Sequence, residues 1–306
     1  MKLSALEKKR FNTIQTTLIG WYKTNRRKFS WRKKIRPPYE VLVCEVMGQQ
    51  TQASRIEEFL PRFLNRFPTV RSLASAKQSD VIKQWQGLGY NRRALNLHKA
   101  AKELSKISFP KKEEELLTLP GIGKYTARAI LIFSHNRSVA AVDINIQRLL
   151  SRLYKRMPDT SSMLSVEEIY ELGEIILPIK QSRLWHEALM DFGATVCTKR
   201  NPLCDECPLY DQCKSGKALI NASLISKSHS VTVEPKYFGH PKRIWRGKTL
   251  KIIVGNDSAS ESFITKTLQN SFPHPEFSVF IQSILSELMK EGFCEKKNKI
   301  YRLRQR

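Results

Sequence analysis

Four of the chain's six cysteines lie between Cys197 and Cys213, spaced C-x6-C-x2-C-x5-C as Cys197, Cys204, Cys207 and Cys213. This constrains the fold more than any other feature, because loops this short can wrap one centre and little else. Zinc and a 4Fe–4S cluster both suit four thiolates. Zinc ribbons usually pair two short knuckles across a longer gap, and only one knuckle, Cys204 to Cys207, is present, which weighs against zinc. Six cysteines in 306 residues, bunched in this way, do not make a secreted disulfide framework and point to a reducing compartment. Lys199, Arg200 and Lys214 edge the loop, where a metal-held turn would present cations to phosphate.

Upstream of the cysteines, the chain is punctuated rather than alternating. Ala5 to Tyr22 reads as a helix and is followed by the basic stretch RRKFSWRKK. Pro37-Pro38 ends that stretch and opens the next helix. From there to about Phe192, apolar residues recur at helical spacing between breaks at Phe67-Pro68, Gly87/Gly89, Phe109-Pro110, Pro120-Gly121 and Pro158. Period-two patterns are almost absent, so the expected class is all-α. A polar linker, 215–234, follows the cysteines. Residues 235–306 then offer helices near Arg246–Val254, Ser260–Asn270 and Pro275–Glu291, and two strand-like pieces around a Lys-Lys-Asn-Lys turn. Three helices and a basic ribbon suggest a small winged-helix-like α+β module, appended to a domain spanning 1–214 whose cysteine loop is 197–213.

Charge narrows the partner. The chain carries 53 Lys+Arg against 28 Asp+Glu, a formal net charge of +25 and a pI near 10.0. The tail 214–306 alone contributes 17 − 7 = +10. A surplus of this size favours a polyanion, nucleic acid first and an anionic membrane surface second. No window approaches the roughly 18 apolar residues of a membrane span. The start, MKLSALEKKRFNTIQ, lacks the apolar core of a secretory signal. A soluble, cytoplasmic, nucleoid-associated protein with no membrane partner is expected.

Three further stretches bear chemistry. In LPGIGKYTARAI, Leu119 to Ile130, Leu-Pro ends one helix and Gly121 and Gly123 make a tight turn into the next. Glycines there leave backbone N–H groups free to face a phosphate, with Lys124 beside them; such a hairpin grips DNA without reading sequence. A plain helical turn would explain the glycines nearly as well. Asp143, in SVAAVDINIQRLLSRL, precedes an apolar-spaced helix, and a simple N-cap would account for it. The third stretch, VLVCEVMGQQTQ (Val41 to Gln52), holds a lone acid among apolar residues. On a helix Glu45, Gln49 and Gln52 would form one polar stripe. Desolvation raises the pKa of such a carboxyl and lets it donate a proton near neutral pH. A buried glutamate satisfied by a lysine or a helix N-terminus is the alternative.

Together these stretches resemble the helix-hairpin-helix DNA glycosylases that carry an iron–sulfur cluster, and among them the adenine glycosylase branch. The matching segments are SWR (Ser30 to Arg32), CEVMGQQTQ, FPTV with WQGLGY, NLHKAA, LPGIGKYTA, VDINIQR and HEALMDFGATVC with the cysteine set. They run in order from Ser30 to Cys213, roughly 60% of the chain. The resemblance implies a two-lobed helical fold, a 4Fe–4S cluster on the four cysteines, and a target base turned out of duplex DNA. It assigns Glu45 as general acid at adenine N7 and Asp143 as the carboxylate that stabilises the sugar cation. Arg32 and Glu187 match residues that contact the flipped adenine. Gln49, Gln50 and Tyr90 match DNA contacts, the last two beside the opposite base. Bifunctional relatives have a lysine where Tyr125 stands. A tyrosine cannot form a Schiff base but can hydrogen-bond Asp143 or Asn145, so a monofunctional enzyme is expected.

The resemblance also implies a monomer acting in base excision repair on double-stranded DNA with a mismatch or an oxidised base, with repair-protein contacts through the tail. Three departures stand out: Gly48 replaces a usual leucine, Asn91 replaces a second tyrosine, and the tail does not resemble the family's Nudix-like domain. Two rival readings remain. One is a thymine or uracil mismatch glycosylase of the same superfamily, and the other is a non-catalytic DNA-binding protein on a glycosylase scaffold.

Overall fold

The structure is a computed structural model and describes residues 2–32, 35–157, 163–225, 234–269 and 274–305. Internal contacts divide the chain into two compact units, residues 1–45 with 109–230 and residues 46–108 with 231–306. In chain order the helices before the tail are α1 (Ala5–Asn25), α2 (Pro38–Gly48), α3 (Ala53–Arg66), α4 (Val70–Ser75), α5 (Gln78–Trp85), α6 (Arg92–Leu104), α7 (Glu113–Leu117), α8 (Lys124–His135), α9 (Ile144–Tyr154), α10 (Val166–Ile175), α11 (Ser182–Thr195) and α12 (Gly216–Ile225).

In the first unit, α1 begins with a reciprocal cap. Glu7 N–H donates to Ser4 Oγ at 3.2 Å, and Ser4 N–H donates to Glu7 Oε2 at 3.1 Å, an arrangement worth about 1 kcal/mol. Phe11, Ile14, Leu18 and Tyr22 then fall on one face and are buried against α9 and α11 side chains such as Leu149, Trp185 and Phe192. Each large apolar side chain covered this way contributes roughly 1.5–3 kcal/mol. Leu209, from the cysteine loop, lies in the same core.

In the second unit, α3 buries Ile56, Phe59, Leu60 and Phe63. Phe63 meets Trp85 of α5 edge-on, with ring centres 5.8 Å apart. The tail adds β1 (Lys236–Tyr237), β2 (His240–Pro241), α13 (Lys242–Gly255), β3 (Ser258–Ser260), α14 (Glu261–Gln269), α15 (Phe277–Lys290), β4 (Cys294–Lys297) and β5 (Ile300–Leu303). β3, β5 and β4 form an antiparallel sheet in that order. The sequence helix–strand–helix–helix–strand–strand is the winged-helix order. Its hairpin turns at Asn298 and Lys299, φ 49° and 63°, the left-handed pair a two-residue turn needs. Trp245, Phe277, Ile281, Leu285 and Leu303 make its core, joined by Ile82 of α5 and Leu95 of α6.

Three expectations are corrected. Glu45, Gln49 and Gln52 do not share a helical stripe. α2 ends at Gly48, Gln50 adopts φ 56°, and Gln52 is the N-cap of α3. The reason is Arg93, whose Nη1 takes the carbonyls of Val46 at 3.0 Å, Met47 at 2.8 Å and Gln49, closing the helix end. The segment read as a polar linker opens instead with α12; residues 226–233 lie outside those described. The helix expected from Arg246 starts a turn earlier, at Lys242. The break at Pro158 and the end at Asn270 also lie outside the described residues.

Candidate active site

Gly121 sits at φ 77°, a conformation that strains other residues, so the turn before α8 requires it. Gly123 is different: at φ −95° it is the N-cap of α8, and a Cβ there would meet nothing within 4 Å. It leaves the uncapped N-terminus of α8 open. Lys124 is exposed, with Nζ 4.0 Å from the Tyr170 ring centre, while Tyr125 turns inward.

The Tyr125 hydroxyl donates to the Glu45 carboxyl, and Asp143 acts on both by its charge. Glu45 comes from α2, whose neighbours Val41, Leu42, Val43 and Met47 are almost wholly buried. Burial raises the Glu45 pKa; Arg36 and the Tyr125 hydrogen bond oppose the shift, and the nearby Asp143 adds to it. The net direction is upward, towards a carboxyl that holds its proton. Tyr125 is likewise raised well above its ordinary value, by burial first and then by the charges of Glu45 and Asp143. Glu45, Tyr125, Asp143 and Asn145 each keep some exposed surface.

Asp143 performs two tasks. Its Oδ1 accepts the Ile146 N–H at 2.7 Å as the N-cap of α9, and its Oδ2 accepts Asn145 Nδ2 at 3.0 Å. Asn145 is held in turn by Arg148, whose Nη1 donates to Asn145 Oδ1 at 3.0 Å. The remaining arms of Arg148 donate to Cys197 O at 3.0 Å and Gly193 O at 2.6 Å. A Cβ on Gly193 would come within 3.2 Å of Asn145 Cβ, so this close approach depends on glycine. The segment before Asp143 is pinned by His186, whose Nε2 accepts the Ala141 N–H at 2.9 Å. That role makes Nδ1 the proton carrier, donating to Ser182 O at 2.6 Å. Burial pushes the His186 pKa down to about 4 and keeps the ring neutral.

The four clustered cysteines line one small cavity, floored by Leu149, Phe192 and Leu209. Burial, with the charges of neighbouring sulfurs, pushes Cys204 up to about 11 and Cys207 to about 12. Holding all four as thiolates therefore needs a cationic centre. The surroundings fit one: N–H groups of Leu209, Ser215 and Gly216 face Cys207 and Cys213, and Arg152 Nη1 lies 3.3 Å from Cys197 Sγ. Arg152 also donates to Thr198 O at 2.7 Å, tying the loop to α9.

Arg32 and Glu187 belong to a second buried network. Arg32 grips both oxygens of Asp191, at 2.6 and 2.8 Å, and Arg27 Nε binds the same carboxylate at 2.6 Å. Burial alone would raise Asp191, but its hydrogen bonds to Arg32 and Arg27 hold it below the usual carboxylate range. Glu187 Oε2 accepts Tyr22 O–H at 2.9 Å, and Arg32 Nη1 donates to the same hydroxyl at 3.4 Å. In the second unit, Gln49, Gln50 and Tyr90 border one groove; Tyr90 is 47% exposed with φ 44°. Gly48 leaves ordinary room for a side chain, since a Cβ there would lie 3.5 Å from Ile56 Cδ1. His186, Arg148, Asp191, Arg36 and Arg93 were missed by sequence reasoning. A lone buried histidine or arginine among helices carries no periodic signal; the segments HEALMDFGATVC and VDINIQR contained His186, Asp191 and Arg148 without marking them out.

Residues 43–173 match the HhH-GPD superfamily of base excision DNA repair proteins, and residues 197–213 match the iron–sulfur binding domain of endonuclease III. The chain is similar to the adenine DNA glycosylase of Mycolicibacterium smegmatis, 34% identical over 77% of this chain and 78% of the relative. It is also similar to that of Mycobacterium tuberculosis, 38% identical over 63% of this chain and 65% of the relative. A solved thermostable thymine-DNA glycosylase superposes with a TM-score of 0.63 at 25% identity, covering 69% of this chain and 98% of its own. Among the described residues no helix is long and apolar enough to cross a membrane. On these matches, the chain belongs to the HhH-GPD base excision repair DNA glycosylases and carries the endonuclease III type of iron–sulfur domain.

Proposed function

We propose that this glycosylase is monofunctional and hydrolyses the N-glycosidic bond of a mispaired adenine turned out of the duplex. The observation that carries this is Glu45, a carboxyl with a raised pKa, bonded to Tyr125 and set near Asp143. Adenine is a poor leaving group with a basic N7, so a protonated acid lowers its departure barrier; thymine and uracil offer no such nitrogen. As the C1′–N9 bond breaks, its electron pair passes to the base and Glu45 gives its proton to N7. The Asp143 carboxylate stabilises the positive charge that develops at C1′. Water then adds to C1′ and its proton returns to a carboxylate, leaving free adenine and an abasic site. Tyr125 cannot form a Schiff base, and Lys124 rests on the Tyr170 ring, which supports hydrolysis without strand cleavage.

On this reading, the α8 N-terminus behind Gly121 and Gly123 holds a phosphate of the target strand. Arg32 and Glu187 act on the base through the Tyr22 network, and Gln49, Gln50 and Tyr90 act on the duplex. A cluster on the four cysteines supplies a structural crosslink, and Arg148 carries that order to Asn145 and Asp143. We read residues 1–214 as the catalytic part, 235–306 as an accessory module and the protein as a monomer. A second reading, thymine or uracil excision, is favoured by the likeness to the thymine-DNA glycosylase. One panel decides between them: single-turnover cleavage of A:8-oxoguanine, A:G, T:G and U:G duplexes. Adenine release without strand scission is expected; strong T:G activity with adenine left in place would sink the adenine reading.

A further inference from the structure

The second unit contains a groove of about 660 Å3 with the loop residues Gln50 and Tyr90 on one side and Arg243, Gly247, Lys248 and Lys251 of α13 on the other. α13 carries five basic residues and no acid. Lys242 and Arg243 sit in its first turn, where the helix dipole disfavours cations. Some of these charges serve the fold. Lys242 pairs with Glu287, and Arg246 reaches Glu287 at 2.7 Å and Glu291 at 2.8 Å. Arg243 pairs with Glu234 at 2.8 Å, both about half exposed. Among the described residues no carboxylate pairs with Lys248 or Lys251; the Lys248 ammonium lies 4.6 Å from the Trp245 ring centre.

Gly247 gives an independent sign. A glycine inside a helix costs about 1 kcal/mol relative to alanine. No packing demands it here, because a Cβ would meet nothing within 4 Å. A bare backbone patch facing a groove suits a close approach from outside the chain. Across the groove, Gln50 and Tyr90 hold left-handed backbones at φ 56° and 44°, a strain tolerated where a side chain must be presented. A wall of cations, an exposed aromatic ring and side-chain amides together match a nucleic-acid strand with one unstacked base.

We propose that α13 of the C-terminal module forms, with Gln50 and Tyr90, a second DNA site. It holds the backbone beside the base left unpaired when the target is turned out. Phosphates lie on Lys248, Lys251 and Arg243, the sugar–phosphate chain passes over Gly247, and the unpaired base meets Tyr90. The unpaired base rests on the proposed function; the backbone site does not.

The test uses the full chain and fluorescein-labelled duplexes, one with a single A:G mismatch and one fully matched, titrated across a salt series. The double variant Lys248→Gln/Lys251→Gln should bind both roughly tenfold more weakly, with a log K against log salt slope shallower by about two. Gly247→Ala should melt no lower than the parent, since alanine favours the helix, yet bind several-fold more weakly. A loss of affinity in that variant therefore cannot be unfolding. Parent-like affinity and slope in both variants overturn the site. Failure of the adenine reading is visible separately, as no adenine release by the unmodified protein, and leaves these slopes unchanged.

Discussion

In the first unit, Glu45, Tyr125 and Asp143 are each held by named partners, and Arg36 and Arg148 beside them are buried. In the groove of the second unit, Lys248 and Lys251 have no carboxylate partner among the described residues, on a helix whose glycine the fold does not need. The first cluster spends stability to bury a carboxyl, which suits the proton donor proposed above. The groove leaves Lys251 exposed, where a charge is strong in attraction and weak in geometry. On the proposed reading, one region changes a barrier and the other an affinity, so a variant in either should move one quantity and spare the other.

The largest break should come from Glu45→Gln or Asp143→Asn. Either should slow single-turnover excision by about 10²–10⁴-fold while leaving the salt slope of DNA binding unchanged. Glu45→Gln should also melt at or above the parent temperature at pH 8. A carboxyl whose folded pKa is raised contributes least once pH has risen through that pKa, so removing it there removes a burden. A changed slope with a normal rate would undo the division between the two regions.

A smaller effect belongs to His186. Its pKa falls from 6.5 to about 4 on folding, so its contribution is complete above pH 6.5 and is lost as pH falls towards 4. The loss amounts to about 3 kcal/mol. Urea melts at pH 7 and pH 4 should show it in the parent and much less of it in His186→Gln, whose amide oxygen can still accept the Ala141 N–H. An equal loss in both proteins would assign the acid sensitivity elsewhere. Smallest is Tyr125→Phe. The Tyr125 hydrogen bond lowers the Glu45 pKa, so losing it should move the alkaline limb of the pH–rate profile upward. A downward move would mean that Tyr125 acts on Asp143 instead.

Much of the first unit's polar cluster was legible in the chain. Glu45 stands out as an acid in an apolar segment, Asp143 as a residue at a helix start, and the cysteines by their spacing. The tail was legible too: α14, α15 and the ribbon lie near where apolar spacing and the Asn298-Lys299 turn put them. Partners were not legible. Tyr125 is bonded to Glu45, eighty residues earlier in the chain. The stripe drawn through Glu45, Gln49 and Gln52 fails because Arg93, far along the chain, takes the last carbonyls of α2.

The division has a physical basis. Helix periodicity, caps, turns and the four-thiol spacing are local, set by backbone geometry and by reach over a few residues, and the sequence by itself determined them. Hydrogen-bond and charge partners are chosen by whichever groups folding brings within about 3 Å in a dry environment. Tertiary structure therefore decided that Glu45 is held by Tyr125, that His186 and Arg148 set Asp143 in place, and that α13 faces Tyr90 across a groove.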